Sequence, residues 1–124
     1  MPLLAQLGVS FERYGEGWVE ATWAPTELAQ NPYGGVHGGV HGIVHDATTS
    51  FAANSALATG DRITTLDLSY QLRRASSVGD TLAVRGDVVE LTRRVAYVES
   101  TVRDPEGAIV SRAMATLLIR RKGE

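Results

Sequence analysis

The stretch that decides the fold of this chain is NPYGGVHGGVHGIVHDATTSFAA, residues 31–53. Proline and paired glycines in its first part interrupt regular structure, so they predict a loop that begins upstream and covers Pro25–Gly35. After the loop, apolar side chains recur at intervals of three and four residues, which is the spacing of one face of a helix. These side chains are Val40, Ile43, Val44, Ala47 and Phe51. We therefore expect one long helix over Val36–Ala58.

The segments on both sides of this helix have the patterns of β-strands. Apolar and polar residues alternate near the end of Val9–Trp23, which predicts a strand pair or one bent strand. After the helix, β-branched residues predict four strands, Ile63–Leu72, Thr81–Leu91, Arg94–Arg103 and Ala108–Arg120. The segment Asp104–Gly107 suits a type I turn between the last two strands. This order predicts an α+β fold in which one helix packs on a curled antiparallel sheet of five to six strands.

Length and composition restrict the classes of protein to which the chain can belong. With 124 residues we expect a single domain over 1–124, and the absence of cysteine excludes disulfides and thiolate chemistry. The net charge of −2 provides no overall basic field for nucleic acid. Because we find neither a targeting segment nor an apolar run of about 20 residues, we expect a cytoplasmic protein without a membrane partner.

The positive charges are concentrated in the second half of the chain. Residues 1–61 contain one basic and six acidic side chains, whereas residues 62–124 contain eleven basic and eight acidic ones. Eleven of the twelve basic residues are arginine, which binds phosphate groups with two parallel hydrogen bonds. This bias favours a small ligand that carries phosphate. The candidates are Arg73, Arg74, Arg93, Arg94, Arg120 and Arg121.

Three elements of the quoted stretch form a spaced motif. Asn31 precedes His37-Gly38-Gly39 by six residues, and Asp46 follows His37 by nine. With these spacings the chain resembles the PaaI-like acyl-CoA thioesterases of the hotdog-fold superfamily. The resemblance continues through Thr64–Leu68, Gly79–Leu82 and Val102–Gly107 and covers nearly the whole chain. It implies a hotdog fold, in which the sheet wraps around the long central helix, and thioesterase activity on an acyl-CoA.

The start of the helix has the chemistry of an oxyanion hole. Backbone N–H groups in the first turn of a helix lack intrahelical partners, and the helix dipole adds partial positive charge there. At Gly38 and Gly39 the absence of a side chain lets a thioester carbonyl approach these N–H groups closely. We expect Gly38 to bind the oxyanion, Gly39 to contact the substrate, and His37 to orient Asn31 or the thioester by hydrogen bonding.

Asp46 is predicted to be the acidic catalytic residue. It shares a helix stripe with Gly39, Gly42, Ser50 and Ala53, all of which are small. The resemblance implies that Asp46 is either the nucleophile or the general base for water, and the sequence does not separate the two roles. Ser50, one turn later, can reach the same slot. The resemblance also places a Ser or Thr from the next strand there, and Thr64 is the candidate.

The spacing of the motif requires two chains. Nine residues of helix separate His37 from Asp46, which is about 13 Å, so one thioester carbon cannot contact both Gly38 N–H and Asp46 of the same chain. Two antiparallel helices in a homodimer would bring these groups together. The resemblance implies the same arrangement, with two composite sites per dimer and often a homotetramer.

The three histidines of the motif invite a metal-site hypothesis. His37, His41 and His45 follow each other at intervals of four residues, a spacing that can hold a metal on one helix face. Asp46 projects away from His41 and His45, however, and no cysteine is present, so we expect no metal and no cofactor. We expect His41 and His45 on a polar, partly wet face with Thr48 and Ser55.

The sequence thus predicts hydrolysis of a small acyl-CoA, with an aryl or arylacetyl group as one candidate. Two alternatives remain open. A hotdog acyl-thioester dehydratase or hydratase is one, although the histidine after Asn31-Pro32 comes too late for its motif. A non-catalytic hotdog protein that binds acyl-CoA is the other, and the presence of Asn31, His37 and Asp46 argues against it.

Overall fold

The predicted long helix is helix α2, which spans Gly38–Ser55 in the computed structural model of residues 1–124. It is preceded by a short helix α1, Pro2–Leu7, and a single turn of 3-10 helix, Glu27–Ala29. The strands are β1 Val9–Gly15, β2 Trp18–Trp23, β3 Arg62–Leu72, β4 Leu82–Leu91, β5 Val95–Arg103 and β6 Ile109–Arg120. The sequence did not predict α1, and it predicted α2 slightly too long at both ends.

All six strands form one antiparallel sheet in the order β1-β2-β4-β5-β6-β3. The expected α+β fold, with one long helix against a curled antiparallel sheet, is therefore confirmed. The region Val9–Trp23 is a strand pair rather than one bent strand. Strand β3 follows α2 in the chain but pairs only with β6, so β3 is an edge of the sheet with one unpaired side.

The buried face of α2 differs from the predicted apolar stripe. Ile43 and Phe51 are 37% and 38% exposed, so these two members of the stripe do not lie in the core. The buried side chains of α2 are His41, Val44, His45, Thr48, Thr49, Ala52 and Ala53. This rotation is possible because the Thr48 and Thr49 hydroxyls donate to helix carbonyls, at 2.7 and 2.9 Å, and so enter the core without unsatisfied polar atoms.

Two apolar clusters fill the space between α2 and the sheet. One surrounds Trp23 and Val44 near the start of the helix, and the other surrounds Ala52 and Leu117 near its end. Glycine at position 86 of β4 lets the helix approach the sheet closely, since a Cβ there would lie 2.8 Å from the Thr48 Cγ2. The helix is thereby held against the sheet with its start at the loop that carries Asn31.

Candidate active site

The first turn of α2 leaves the backbone N–H of Gly38 without a partner. His37 is the N-cap, and its ring Nδ1 accepts a hydrogen bond of 3.1 Å from the Gly39 N–H. No group of the chain accepts the Gly38 N–H. Of the two expected roles of His37, orientation of Asn31 is not seen, because the ring lies on the backbone of its own helix, where it satisfies the N–H of Gly39. Orientation of the thioester by His37 stays a prediction. Of Gly38 and Gly39, Gly38 therefore keeps a backbone N–H that can donate to a ligand.

The backbone of Gly38 is held from one side by β3. The Tyr70 hydroxyl donates to the Gly38 carbonyl at 3.2 Å, and the Leu72 side chain approaches so closely that a Cβ on Gly38 would lie 2.8 Å from it. Tyr70 reaches this carbonyl by passing over Gly42, where a Cβ would lie 2.9 Å from its hydroxyl oxygen. The glycines at 38 and 42 thus allow β3 to fix the start of the helix.

The Asn31 side chain organises the loop before the helix. Its Oδ1 accepts the N–H groups of Tyr33 and Gly35 at 2.8 and 3.1 Å, which closes the turn that carries Pro32. These two bonds use the carbonyl end of the amide. The Nδ2 donor makes no hydrogen bond within the chain, so Asn31 has a donor available for a ligand.

A cavity of about 370 Å³ brings several of the predicted residues together. Asn31 and Gly38 line it, and the side chains of His41, Arg73, Arg74 and Ser76 contribute to its wall. Neither Arg73 nor Arg74 forms an ion pair; Arg73 donates only to the neutral side chain of Gln71, at 3.4 Å. The cavity therefore combines the Gly38 N–H and the Asn31 amide with two arginines that have no carboxylate within 4.0 Å.

Three of the other four predicted arginines pair with carboxylates, whereas Arg120 forms no ion pair. Arg93 and Arg94 lie 3.4 and 3.8 Å from Glu124, and Arg121 pairs at 3.2 Å with Asp61. These contacts gather at the end of the sheet where the chain terminates, away from the Asn31 loop. Of the four arginines proposed to contact substrate, Arg73 and Arg74 lie at the cavity and Arg93 and Arg94 do not.

Asp46 is exposed on α2 and contacts β3. Its Oδ1 accepts a hydrogen bond of 2.8 Å from the Thr65 hydroxyl. Thr64, the residue expected from the sequence, alternates with Thr65 along the strand and is more exposed. The structure thus brings Thr65, one position later, to Asp46. Ser50 is half-buried one turn beyond Asp46, and its hydroxyl makes no hydrogen bond within the chain.

Strand β3 contacts both Asp46 and Gly38, which lie far apart along α2. Eight residues of helix separate them, which corresponds to about 12 Å. Asp46 contacts Thr65 in the first half of β3, whereas Gly38 contacts Tyr70 and Leu72 near its end. The cavity at Gly38 does not include Asp46. One chain therefore presents the free Gly38 N–H and the Asp46 carboxylate at separate places along its open sheet edge.

The region between these two places carries exposed apolar side chains. Ile43 on α2 is 37% exposed, and on the edge strand Leu66 and Leu72 are 58% and 51% exposed. An edge strand with one unpaired side is a template for pairing with another strand. The exposed apolar side chains and the unpaired edge lie on the same border of the molecule as Asp46.

His41 and His45 are buried, which corrects the expected wet face. They are 2% and 0% exposed, and serine side chains from three other segments surround them. His41 bonds with Ser76 and Ser111, and His45 with Ser111 and Ser100, at distances of 2.7 to 3.3 Å. Burial lowers the pKa of His41 from 6.5 to about 4. Burial, with the nearby His41, lowers the pKa of His45 to about 4 as well.

The structure offers neither a metal-binding cluster nor a membrane-spanning helix. No group of three or more His, Cys, Asp or Glu side chains is arranged to hold a metal ion. No helix combines the length and the apolar character needed to cross a membrane. A further cavity of about 500 Å³, lined by Phe11, Phe51, Asn54 and their neighbours, lies at the other end of α2 and contains none of the predicted catalytic residues.

Sequence reasoning missed three residues near the site: Thr65, Tyr70 and Ser76. Their contacts depend on which residues of β3 face the helix and on the path of the loop after β3. The alternation along β3 could have identified Thr65 and Tyr70 if the bulge between Thr65 and Asp67 had been visible in the sequence. No sequence pattern marked Ser76.

Comparisons with known proteins agree with this architecture. A family model described as the thioesterase superfamily matches residues 33–111. A curated Haemophilus influenzae protein named "Putative esterase" is 26% identical over 116 residues, which is 94% of this chain and 83% of that protein.

Two solved structures have similar folds, with identities equal to that of the Haemophilus protein or one percentage point lower. The smu.793 protein of Streptococcus mutans UA159, solved bound to acetyl-CoA, is 25% identical with a TM-score of 0.85, over 94% of this chain and 91% of its own. A phenylacetic acid degradation-related protein of Ralstonia eutropha JMP134 is 26% identical with a TM-score of 0.86, over 94% of this chain and 89% of its own.

Proposed function

We propose that this chain hydrolyses acyl-CoA to a free acid and CoA at a site shared between two subunits. The chain belongs to the thioesterase superfamily and is a thioesterase. The observation that carries the proposal is the unpartnered Gly38 N–H at the start of α2, in one cavity with the Asn31 amide, Arg73 and Arg74. A donor at a helix N-terminus stabilises the negative oxygen that forms when a thioester is attacked.

In this proposal the thioester carbonyl lies against Gly38. As its carbon becomes tetrahedral, the oxygen gains charge and accepts the Gly38 N–H, with the Asn31 Nδ2 as a second donor nearby. Both donors are oriented before substrate arrives, since His37 caps the helix and the Asn31 Oδ1 is fixed by Tyr33 and Gly35. Oriented donors of this kind are typically worth about 100-fold or more in rate.

Asp46 of the partner subunit supplies the attack on the carbonyl carbon. As general base it takes a proton from water, and the oxygen of that water bonds to the carbon. The C–S bond then breaks, and the proton passes from Asp46 to the departing CoA thiolate. As nucleophile its own oxygen bonds to the carbon, CoA thiolate leaves, and water then hydrolyses the resulting anhydride. Both routes give a carboxylic acid and CoA. The Thr65 hydroxyl, which donates to Asp46 Oδ1, keeps the other carboxylate oxygen free for either role.

The shared site follows from the separation along one helix. A thioester carbon at Gly38 is about 12 Å from Asp46 of the same chain, too far for attack. Antiparallel pairing of two β3 edges would place the Thr65 end of one strand beside the Tyr70 end of the other. The exposed Ile43 and Leu66 lie on this border and would be covered. A homodimer is therefore part of the proposed enzyme, and we expect a homotetramer built from two such dimers.

Arg73 and Arg74 are proposed to bind the phosphates of CoA. They line the Gly38 cavity, and neither has a carboxylate within 4.0 Å. The Streptococcus mutans structure, solved with acetyl-CoA, supports this ligand class. The Ralstonia protein, described by its relation to phenylacetic acid degradation, favours an aryl or arylacetyl group among the candidates for the acyl part.

The direct test is release of free thiol from a panel of aryl-, arylacetyl- and aliphatic-CoA esters, followed with a thiol reagent. We expect turnover of at least one small acyl-CoA and a loss of about 100-fold or more in the Asp46→Asn variant, which keeps the shape but lacks the carboxylate. Binding of CoA by that variant, measured calorimetrically, should be unchanged. Hydration or dehydration of enoyl-CoA without thiol release, or binding without turnover, would contradict the proposal.

A further inference from the structure

A chain of five polar side chains runs through the core from the cavity to the sheet. Ser76 bonds with His41 Nε2 at 3.3 Å, His41 Nδ1 with Ser111 at 2.7 Å, and Ser111 with His45 Nε2 at 2.8 Å. The chain ends where His45 Nδ1 meets Ser100 at 2.8 Å. These are the only hydrogen bonds that the five side chains form.

The hydrogen-bond donors of these five side chains outnumber the hydrogen bonds between them by one. At neutral pH each histidine is uncharged, because burial lowers both pKa values to about 4. Two ring N–H groups and three serine O–H groups then share four hydrogen bonds. One hydroxyl hydrogen is therefore left without an acceptor in the protein, and its position depends on the direction in which the donors of the network point.

Ser111 cannot hold the spare hydrogen. It lies between two ring nitrogens, is 0% exposed and has no third partner, so it donates to one ring and accepts from the other. This requirement couples the two histidines. Either both rings carry hydrogen on Nδ1 and the spare hydroxyl hydrogen is on Ser100, or both carry it on Nε2 and the spare hydrogen is on Ser76.

The two ends of the network, Ser76 and Ser100, lie in different surroundings. Ser100 is 0% exposed and lies within the core of the sheet, where a hydroxyl hydrogen without an acceptor is costly. Ser76 lines the same cavity as Gly38 and Asn31, where a ligand or water can accept. The arrangement with hydrogen on Nε2 of both rings is thus favoured. In this arrangement His41 donates from Nε2 to the Ser76 oxygen, which leaves the Ser76 hydrogen to point into the cavity.

From this we infer that the Ser76 hydroxyl donates a hydrogen bond to a substrate oxygen in the Gly38 cavity, with His41 as the positioning residue that sets its direction. Trp23 packs edge-on against the His41 ring, with centroids 4.8 Å apart, and keeps that ring in place. The Ser76 carbonyl meanwhile accepts the Val36 N–H at 2.8 Å, which fixes Ser76 against the loop that leads to Gly38. The inference rests on the proposed function, since the substrate is the acyl-CoA of that site.

The test compares the two ends of the same network. Ser76→Ala and Ser100→Ala each remove one buried serine–histidine hydrogen bond, but only Ser76 faces the cavity. We expect Ser76→Ala to lower kcat/KM at least tenfold with the best acyl-CoA, and Ser100→Ala to change it less than twofold at a temperature where both are folded. If Ser76→Ala does not fold, Ser76→Cys, which keeps the volume but replaces the hydroxyl with a weak donor, should show the same loss.

A second measurement determines, without substrate, which ring nitrogen of each buried histidine carries the hydrogen. Long-range ¹⁵N–¹H NMR of the wild-type protein should find both buried histidines with hydrogen on Nε2. Hydrogen on Nδ1 in both rings, or equal kinetic effects of the Ser76 and Ser100 variants, would overturn the inference. Wild-type turnover of acyl-CoA distinguishes that failure from a failure of the proposed function, because the latter would leave no turnover in any variant.

Discussion

Asp46 Oδ1 and the Thr65 hydroxyl are joined by a 2.8 Å hydrogen bond between the central helix and the edge strand. The bond orients the carboxylate at the border of the molecule where a second subunit would add to the sheet. It also occupies one carboxylate oxygen and leaves the other for chemistry. The position of Asp46 is thereby determined by β3 as well as by its own helix.

Removal of the Thr65 hydroxyl should slow the enzyme without removing the carboxylate. We expect Thr65→Val to lower kcat about tenfold, since a charge-assisted hydrogen bond that orients Asp46 is lost. Thr65→Ser keeps the hydroxyl and should retain most of the activity. Steady-state kinetics of thiol release provide the measurement.

Thr64→Val is the matched control for that series, because Thr64 neighbours Thr65 on the same edge strand but does not bond Asp46. Sedimentation should show that all three variants keep the oligomeric state of the wild type. Equal effects of Thr64→Val and Thr65→Val would show that the hydroxyl of Thr65 does not assist Asp46.

Alanine at Gly42 should destabilise the protein, although alanine in an open helix position stabilises by about 1 kcal/mol. The added Cβ would lie 2.9 Å from the Tyr70 hydroxyl oxygen, which would displace the ring from the Gly38 carbonyl. We expect a loss of about 1–3 kcal/mol in the free energy of unfolding, as for other overpacked sites. We also expect a lower kcat.

Urea denaturation of Gly42→Ala in the wild-type and Tyr70→Phe backgrounds tests this cause. The phenylalanine ring lacks the atom in closest contact, so the penalty of the alanine should be smaller there. A Gly42→Ala variant more stable than the wild type would refute the packing account.

Acidification should destabilise the folded state because of the two buried histidines. The unfolded chain has histidines near pKa 6.5, whereas the folded protein holds His41 and His45 at about 4. Between these values the unfolded state binds more protons, so the free energy of unfolding falls as the pH is lowered from 6.5 towards 4. The loss should approach about 3 kcal/mol for each histidine.

Urea denaturation at several pH values between 7 and 4.5 measures this dependence. A His45→Gln variant lacks one of the two titrating rings and should show about half of the slope. Stability that is constant from pH 7 to 4.5 would contradict the burial of these two histidines as neutral groups.

The sequence predicted the elements that depend on local patterns. The α2 helix, the hairpin at Asp104–Gly107 and the order of strands follow from periodicity and turn chemistry, and the motif of Asn31, His37 and Asp46 indicated the family. These features need no knowledge of which residues from distant segments meet.

Features that depend on the packing of distant segments were not predicted. The polar face of α2 lies in the core because serines of the loop, β5 and β6 satisfy His41 and His45, and periodicity alone assigns such a face to solvent. Similarly, a bulge after Thr65 determines the register of β3 with β6. A shift of that register by one residue would turn Thr64 instead of Thr65 towards the helix. The short helix α1 was missed because six residues show little periodicity.

The shared active site is tested most directly by mixing two inactive variants. Asp46→Asn removes the carboxylate. Asn31→Asp keeps the oxygen that accepts from Tyr33 and Gly35 but replaces the amide donor with a negative charge beside the oxyanion hole. Each homodimer should be inactive. In a heterodimer, one site would contain both changes and the other site neither.

After verified subunit exchange at equal concentrations, random pairing makes half of the dimers mixed, so we predict recovery of thiol release to about a quarter of the wild-type rate. That result would show that Asn31 and Asp46 serve one site from different chains. If exchange is complete and the mixture stays inactive, Asn31 and Asp46 do not act across the interface, and the account of a shared site is contradicted.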